Sequence, residues 1–201
     1  MSIEARPEVF QIVADESNVY FVTRDEVTYF LKYEEKTQSA VPQLSVPGLK
    51  KIILGHELVV ALPSPGDVTL KRIWVYKKGF YSRPLGTRTI TGYSVVSLCP
   101  PHYVVYSEDM QVSVWDPVTK RTVSHFGTGA MVTFLRPAFS SFLLVFMGTS
   151  LHLWDWKTGE RLYRLYSGLE WTGNYGNLLW ANASSILSGG VDHQLEMISF
   201  M

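Results

Sequence analysis

Apolar and polar residues alternate over short stretches along most of the chain. Residues 111–115 read Gln-Val-Ser-Val-Trp, and residues 151–154 read Leu-His-Leu-Trp. An apolar residue at every second position is typical of a β-strand with one buried face. No window of a dozen residues has its apolar positions spaced as on an amphipathic helix. The pattern therefore predicts an all-β protein of short strands separated by polar turns.

One order of features occurs twice, in Val112–Phe126 and in Leu151–Leu165. Each copy has an alternating strand, a Trp-Asp pair, a polar turn and a second apolar strand. The two tryptophans, Trp115 and Trp154, lie 39 residues apart, a spacing that suits a unit of four strands. Weaker copies extend the repeat in both directions. The five aligned anchor positions are Phe30, Trp74, Trp115, Trp154 and Ile198.

On these Trp-Asp pairs and their spacing, the chain resembles the WD-repeat β-propeller family, most clearly over residues 100–166. The resemblance implies a β-propeller of four-stranded antiparallel blades. We expect about five blades in a single domain over residues 1–201. The expected repeats span approximately residues 8–46, 50–83, 92–126, 131–166 and 177–200.

The fifth repeat has no outer strand in the sequence, and this leaves two interpretations open. In the first, a small five-bladed ring closes when residues 2–5 supply that strand. In the second, the five repeats are part of a larger propeller.

The family's buried polar network uses a Gly-His pair before the first strand of a blade. The corresponding pairs here are Gly127-Thr128 and Gly168-Leu169, so the histidine is missing. The resemblance therefore implies that packing between blades stabilises the fold, with Trp115 and Trp154 buried between them. In the second repeat, we expect the four strands at Lys50–Leu54, Glu57–Leu62, Thr69–Tyr76 and Phe80–Arg83.

Composition places the chain among globular proteins, with 46% hydrophobic residues, 13% aromatic residues and a formal net charge of zero. A single cysteine, Cys99, excludes an internal disulfide and fits a reducing compartment. The first residues lack the apolar core of a signal peptide. We expect an intracellular protein, cytoplasmic or nuclear, without a transmembrane segment.

No set of residues in the sequence forms a recognisable catalytic, cofactor or metal motif. Cys99 and His102 would supply only two of the four ligands that a zinc site needs, so we expect a buried cysteine beside a surface histidine. Gly127-Thr-Gly129 precedes a predicted strand, whereas a phosphate-binding loop precedes a helix. We therefore expect a non-catalytic scaffold or adaptor that binds other proteins within a multiprotein assembly. An enzyme with carboxylates around a propeller channel is the rival class.

Two candidate binding sites follow. The first is the loop 168–176, where Leu169, Trp171 and Tyr175 would form a partner-binding surface with His193 of a neighbouring turn. The other interpretation of this loop is that Trp171 folds back onto the last blade.

The second candidate is an anion-binding patch in the second repeat, where residues 50–88 hold eight basic residues against two acidic ones. It would bind a nucleic acid or a phosphoinositide, although the Phe-Arg-Arg-Gly motif of phosphoinositide-binding propellers is absent. The basic residues are Lys50, Lys51, Lys71, Arg72, Lys77, Lys78, Arg83 and Arg88.

Overall fold

The computed structural model describes most of the chain as antiparallel β-structure. The described residues are 8–16, 18–23, 27–32, 41–63, 70–91, 94–138, 141–167, 180–181, 185–189 and 195–199. They divide into two compact units, residues 1–91 and residues 92–201, and each is described by itself.

Unit 1 contains two four-stranded sheets in which each strand pairs with the next one along the chain. Sheet 1 consists of β1 (Val9–Ala14), β2 (Asn18–Thr23), β3 (Val27–Lys32) and β4 (Val41–Ser45). Sheet 2 consists of β5 (Leu49–Leu54), β6 (Leu58–Pro63), β7 (Leu70–Lys77) and β8 (Gly86–Thr91).

Unit 2 contains two further four-stranded sheets and one sheet with three described strands. Sheet 3 consists of β9 (Val96–Cys99), β10 (Tyr103–Glu108), β11 (Gln111–Trp115) and β12 (Thr122–Gly127). Sheet 4 consists of β13 (Val132–Pro137), β14 (Phe142–Met147), β15 (Ser150–Asp155) and β16 (Glu160–Ser167). Sheet 5 consists of β17 (Trp180–Ala181), β18 (Ser185–Gly189) and β19 (Leu195–Ser199).

The predicted fold class is confirmed, because the chain is all-β and is built from antiparallel sheets of the blade type. All five anchor positions of the sequence repeat fall in the third strand of a sheet. The expected single domain and the choice between a closed ring and a larger propeller stay predictions. Residues 2–5, on which ring closure would depend, lie outside the described residues.

The predicted outer strand of the second repeat, Phe80–Arg83, is wrong. Phe80 makes only an isolated bridge to Lys77, across a turn in which Gly79 has a φ of 77°. The outer strand is β8, which begins three residues after the expected end of this repeat at residue 83 and ends eight residues after it. The aromatic side chain of Phe80 suggested a strand, but it is 66% exposed. The threonine-rich alternation of Gly86–Thr91 is the true strand signal.

In unit 1, the inward faces of sheets 1 and 2 form one apolar core that includes Tyr20, Val22, Ile52 and Tyr76. A second contact joins the first strands of the two sheets. The side-chain amide of Gln11 donates to the carbonyl of Ile52 at 3.1 Å and accepts from the amide of Ile52 at 2.7 Å. Gln11 thus satisfies backbone groups of Ile52 on β5, which is an edge strand of sheet 2 among the described strands.

In unit 2, sheets 3 and 4 pack face to face around Trp154, which is 5% exposed. Its indole ring stacks on Phe126 of sheet 3, with ring centroids 4.9 Å apart and planes 18° apart. Trp115 is 1% exposed, so the expected burial of both tryptophans is confirmed.

Among the described residues, no helix has the length and apolar content needed to span a membrane.

Thr128 stands where the histidine would be in the sequence pattern that the chain resembles, and it makes a smaller polar network. Its amide donates to the carbonyl of Met110 at 2.9 Å, and its hydroxyl lies 2.9 Å and 2.8 Å from the carbonyls of Met110 and Ala130. The indole nitrogen of Trp154 is buried without a hydrogen-bond partner among the described residues. The Trp154 anchor therefore contributes through apolar packing and ring stacking.

Candidate functional site

The four residues of the first predicted binding surface lie outside the described residues. They are Leu169, Trp171, Tyr175 and His193.

The second predicted surface, the eight basic residues, is divided between the two faces of sheet 2. Lys50 and Lys51 are consecutive in β5, and Lys71 and Arg72 are consecutive in β7. Successive side chains of a regular strand point to opposite faces, so the sheet separates Lys71 from Arg72. Lys50 lies at a register shift between Leu49 and Lys51, where this alternation is interrupted. The register puts Arg88 opposite Ile73 and therefore on the same face as Lys71. The eight residues do not form one continuous patch on a single face.

Lys50, Lys77 and Lys78 have partners within unit 1. The ammonium group of Lys50 lies 3.9 Å from the ring centroid of Phe10, and that of Lys77 lies 5.7 Å from the ring of Phe80. The ammonium group of Lys78 forms an ion pair with Asp15 at 2.8 Å. These contacts connect the second repeat to sheet 1 or cover apolar side chains, both of which are structural tasks.

The structure instead brings together a polar pocket at one end of sheets 1 and 2. It has a volume of about 360 Å³ and is lined by Asp15, Glu16, Gly55, His56 and Lys78. The β1–β2 turn contributes the two acids, the β5–β6 turn contributes Gly55 and His56, and Lys78 follows β7. Three turns from two sheets therefore surround this pocket.

Asp15 organises the pocket through both of its carboxylate oxygens. Oδ1 accepts from the amide of Asn18 at 2.9 Å and from the side chain of Asn18 at 3.2 Å. Oδ2 accepts from Lys78 at 2.8 Å and from the hydroxyl of Tyr20 at 3.1 Å. A carboxylate with this many donors is fixed in position, and the Lys78 ammonium group compensates its charge.

Tyr20 stays protonated and donates to Asp15. Burial is the main reason that its pKa is raised well above the usual value, and the neighbouring Tyr81 and Asp15 raise it further. The hydroxyl therefore serves as a fixed hydrogen-bond donor. It would be a poor general acid near neutral pH, because its pKa is too far from the working pH.

The groups left to bind a ligand in this pocket are the exposed side chains of Glu16 and His56, together with the remaining donors of Lys78. They offer acceptors and donors side by side at the rim of two packed sheets. This arrangement suits hydrogen bonding to a polar side chain of a partner protein. Sequence reasoning missed the pocket, because Asp15 and Lys78 are 63 residues apart and Asp15 resembled an ordinary turn residue.

The aspartates of the two Trp-Asp pairs hold the turns that follow them. Oδ1 of Asp116 accepts from the amides of Val118 and Thr119, and Oδ2 accepts from the Thr119 hydroxyl at 2.8 Å. Burial works to raise the pKa of Asp116, but these hydrogen bonds and the nearby His102 outweigh it and lower the pKa. Oδ1 of Asp155 accepts from the amide of Lys157 at 2.8 Å.

Cys99 is buried and its neighbour His102 is partly exposed, as expected from the sequence. Burial raises the pKa of the Cys99 thiol to about 12, so the group stays a protonated thiol at neutral pH. Nε2 of His102 lies 3.8 Å from Oδ1 of Asp116, which is too long for a hydrogen bond. Within the part of the chain that the structure describes, no three metal-ligating side chains come together.

No protein-family model and no curated protein matches the sequence. Solved structures do match the fold. A chain of the mitotic checkpoint complex has a TM-score of 0.71 at 13% identity, over 96% of this chain and 64% of that chain. Hsv2 of Kluyveromyces lactis has a TM-score of 0.71 at 17% identity, over 96% and 62%. The computationally designed protein Ika8 has a TM-score of 0.65 at 19% identity, over 96% and 58%.

The first two of these structures are WD40 β-propeller proteins, and the likeness shows that this chain shares their fold. The chain spans about three-fifths of the length of each of these solved structures. At such low identity the likeness carries no residue roles across.

Proposed function

We infer that this chain is a non-catalytic interaction scaffold, which holds other proteins in a fixed geometry within a multiprotein assembly. The inference rests on how the turns at the sheet ends are built. They are joined across neighbouring sheets, so that they present a surface whose shape exists before a partner binds.

The observation that carries this proposal is the link between turns of different sheets in each unit. In unit 1, the Asp15–Lys78 ion pair joins the β1–β2 turn to the end of β7. In unit 2, the amide of Val132 in sheet 4 donates to the carbonyl of Asp109 in sheet 3 at 3.2 Å. A pre-formed surface of this kind loses little conformational entropy when it binds a partner.

One of the similar solved structures is itself part of a complex, the mitotic checkpoint complex. That supports a role among protein partners without identifying them. The polar groups of the described sites also fit this role, because Asp15, Asp116 and Asp155 are all occupied in holding turns.

The decisive experiment is affinity capture of the chain from native lysate, followed by mass spectrometry and size-exclusion chromatography. A scaffold should co-elute with at least two partners in fixed ratio, and removing the chain should separate those partners from one another. A chain that elutes alone, or partners that stay together in its absence, would contradict the proposal.

The partner-binding loop 168–176 remains part of this proposal through Leu169, Trp171 and Tyr175, with His193 nearby. Substituting Trp171→Ala should reduce the capture of at least one partner, since exposed tryptophans are frequent interface anchors. The melting temperature of the variant should match that of the wild type. Full retention of every partner by a folded variant would remove this loop from the proposal.

A second candidate is an anion-binding role, and the exposure of Lys51, Arg72, Lys77 and Arg83 favours it. Binding to anionic vesicles or to RNA would then weaken steeply with salt, because each cation releases counterions from the ligand. Because the basic residues are divided between two faces of the sheet, few of them can contact one ligand together, and we expect anion binding to be weak. Titrations at 50 and 300 mM salt, between which the Debye length falls from about 14 Å to about 6 Å, distinguish this role from the scaffold.

A further inference from the structure

Three turns at one end of sheets 3 and 4 form a surface that we call the methionine ledge, defined by residues 108–111, 127–132 and 147–150. The β10–β11 turn contains Met110, the connection to sheet 4 contains Met131, and the β14–β15 turn contains Gly148 and Thr149. The positive φ angles of Asp109 and Gly148, 52° and 58°, allow both hairpins to reverse within two residues.

Backbone hydrogen bonds fix the three turns to one another. The amide of Thr128 donates to the carbonyl of Met110 at 2.9 Å, and the amide of Val132 donates to that of Asp109 at 3.2 Å. The amide of Gly148 donates to the carbonyl of Met131 at 3.3 Å. The two methionines therefore lie on neighbouring segments of one rigid surface.

Both methionine side chains are open to solvent, with Met110 50% exposed and Met131 43% exposed. A single exposed apolar residue is ordinary, whereas here two exposed methionines lie on neighbouring turns that are hydrogen-bonded to each other. The space above the ledge is open as well, because a Cβ added at Gly129 or Gly148 would meet nothing within 4 Å. Methionine is flexible and polarisable, which suits contact with apolar side chains of varied shape.

The charge of the ledge indicates what accompanies the apolar contact. Its first segment contains two acids, Glu108 and the exposed Asp109, and none of the three segments contains a lysine or arginine. Arg164 of β16 reaches the third segment, where it donates to the Ser150 hydroxyl at 3.0 Å, so the acidic charge lies at the Asp109 end of the ledge. An acidic border beside an apolar patch complements a segment in which an apolar side chain is followed or preceded by a basic one.

We propose that the methionine ledge binds a partner-protein segment that presents an apolar side chain to Met110 and Met131 and a neighbouring lysine or arginine to Asp109. This proposal rests on the scaffold function, for which it names one surface and the chemistry of its partner.

The test begins with a displayed library of random 12-residue peptides, selected against the full chain. Enriched peptides should share an apolar residue within three positions of a lysine or arginine. One such peptide is then titrated into the chain labelled with ¹³C at the methionine methyl groups. The signals of Met110 and Met131, assigned with Met→Leu variants, should shift first among the six methionines.

Substitutions then separate the two parts of the ledge. Met110→Gln with Met131→Gln should weaken peptide binding at least tenfold, as expected when the anchor contacts of an interface are removed. Asp109→Asn should weaken binding about threefold at low salt and less at high salt, since a rim charge is screened. Asparagine tolerates the positive φ of this turn, so the hairpin is preserved.

The matched control is Val118→Gln in the β11–β12 turn, an exposed apolar residue at the opposite end of sheet 3. It should leave peptide binding unchanged. Two results would overturn the ledge proposal. In the first, the selected peptides lack the paired pattern; in the second, they bind the folded double methionine variant as tightly as the wild type. If the selected peptides shift the signals of other methionines while native partners still co-elute, the ledge proposal fails and the scaffold function stands. If native partners are also absent, both fail.

Discussion

Sheets 3 and 4 carry the same Trp-Asp motif, yet each stabilises the turn after it in its own way. In sheet 3 the turn contains Lys120 at a φ of 62°, whereas the equivalent residue in sheet 4 is Gly159 at a φ of 73°. Lysine is strained in this left-handed conformation and glycine is not. Asp116 compensates with three side-chain hydrogen bonds to its turn, while Asp155 makes a single one.

The comparison shows that the repeat preserves a backbone path and a buried anchor, while the polar details vary. Gly159 of sheet 4 also has a role in packing, which follows from its short distance to sheet 3. A Cβ at Gly159 would lie 3.0 Å from the Cβ of Phe126, the residue that stacks on Trp154. The turn of sheet 4 therefore approaches sheet 3 closely.

The largest expected effect comes from removing the anchors. Trp154→Ala and Trp115→Ala should each lower the free energy of unfolding by about 3–5 kcal/mol, because both side chains are buried and a cavity would remain. Urea titrations of the two variants measure this. A loss below about 1 kcal/mol for either would mean that its side chain is not packed as the structure has it.

The next effect distinguishes the two turns. Gly159→Ala should cost about 2 kcal/mol, because the new methyl group meets Phe126 and the backbone has a positive φ. Lys120→Gly at the equivalent position should change stability by less than about 1 kcal/mol, since relief of strain offsets the added backbone freedom. Equal stabilities for Gly159→Ala and the wild type would show that the two sheets are farther apart.

A smaller difference is expected between the two aspartates. Asp116→Ala should cost about 1–2 kcal/mol and Asp155→Ala about half as much, because Asp116 leaves more turn donors without an acceptor. Thermal unfolding at neutral pH compares the two. The pKa of Asp116 is lowered on folding, so its contribution should be present above the unfolded pKa and disappear as the pH falls through the folded pKa.

The smallest effect concerns the position two residues before each tryptophan. It is Ser113 in sheet 3, where the hydroxyl lies 2.9 Å from Nδ1 of His125, and His152 in sheet 4. His152 is buried, and Nδ1 of its ring has no hydrogen-bond partner among the described residues. Burial, and then the charges of Arg161 and Arg164, lower its pKa.

A lowered histidine pKa means that the unfolded chain takes up a proton before the folded one does. Stability should therefore fall as the pH drops below about 6.5, with a slope of at most about 1.4 kcal/mol per pH unit from this residue. His152→Leu should reduce the slope between pH 7 and pH 5.5, measured by denaturant titration at several pH values. An identical slope in the variant would contradict this prediction, because it would mean that folding does not lower the pKa of His152.

The repeat structure was predictable because Trp-Asp pairs, alternation and spacing are local signals. The five anchors fell in third strands for this reason. The outer strand β8 was not predicted, because the aromatic residues Phe80 and Tyr81 suggested a strand at Phe80–Arg83, whereas Phe80 lies at a turn. The anion-binding patch stays a prediction, and the consecutive positions of Lys71 and Arg72 place these two side chains on opposite faces of the sheet.

Other features depend on contacts that no local pattern reveals. Asp15 and Lys78 meet only after sheets 1 and 2 have packed, so the polar pocket was invisible in the sequence. The role of Thr128 was also hidden. The missing histidine suggested that a polar network was lost, whereas a shorter side chain makes a different one with the backbone of Met110 and Ala130.

The central claim is that the two Trp-Asp repeats are neighbouring blades, packed through Trp154 of one and Phe126 of the other. The most direct measurement is a double-mutant cycle of Phe126→Ala and Trp154→Ala, with unfolding free energies from denaturant titration. Stacked rings should give a coupling energy of about 0.5–1.5 kcal/mol. Costs that simply add, within about 0.3 kcal/mol, would show that the two rings do not touch and would contradict the packing of these sheets.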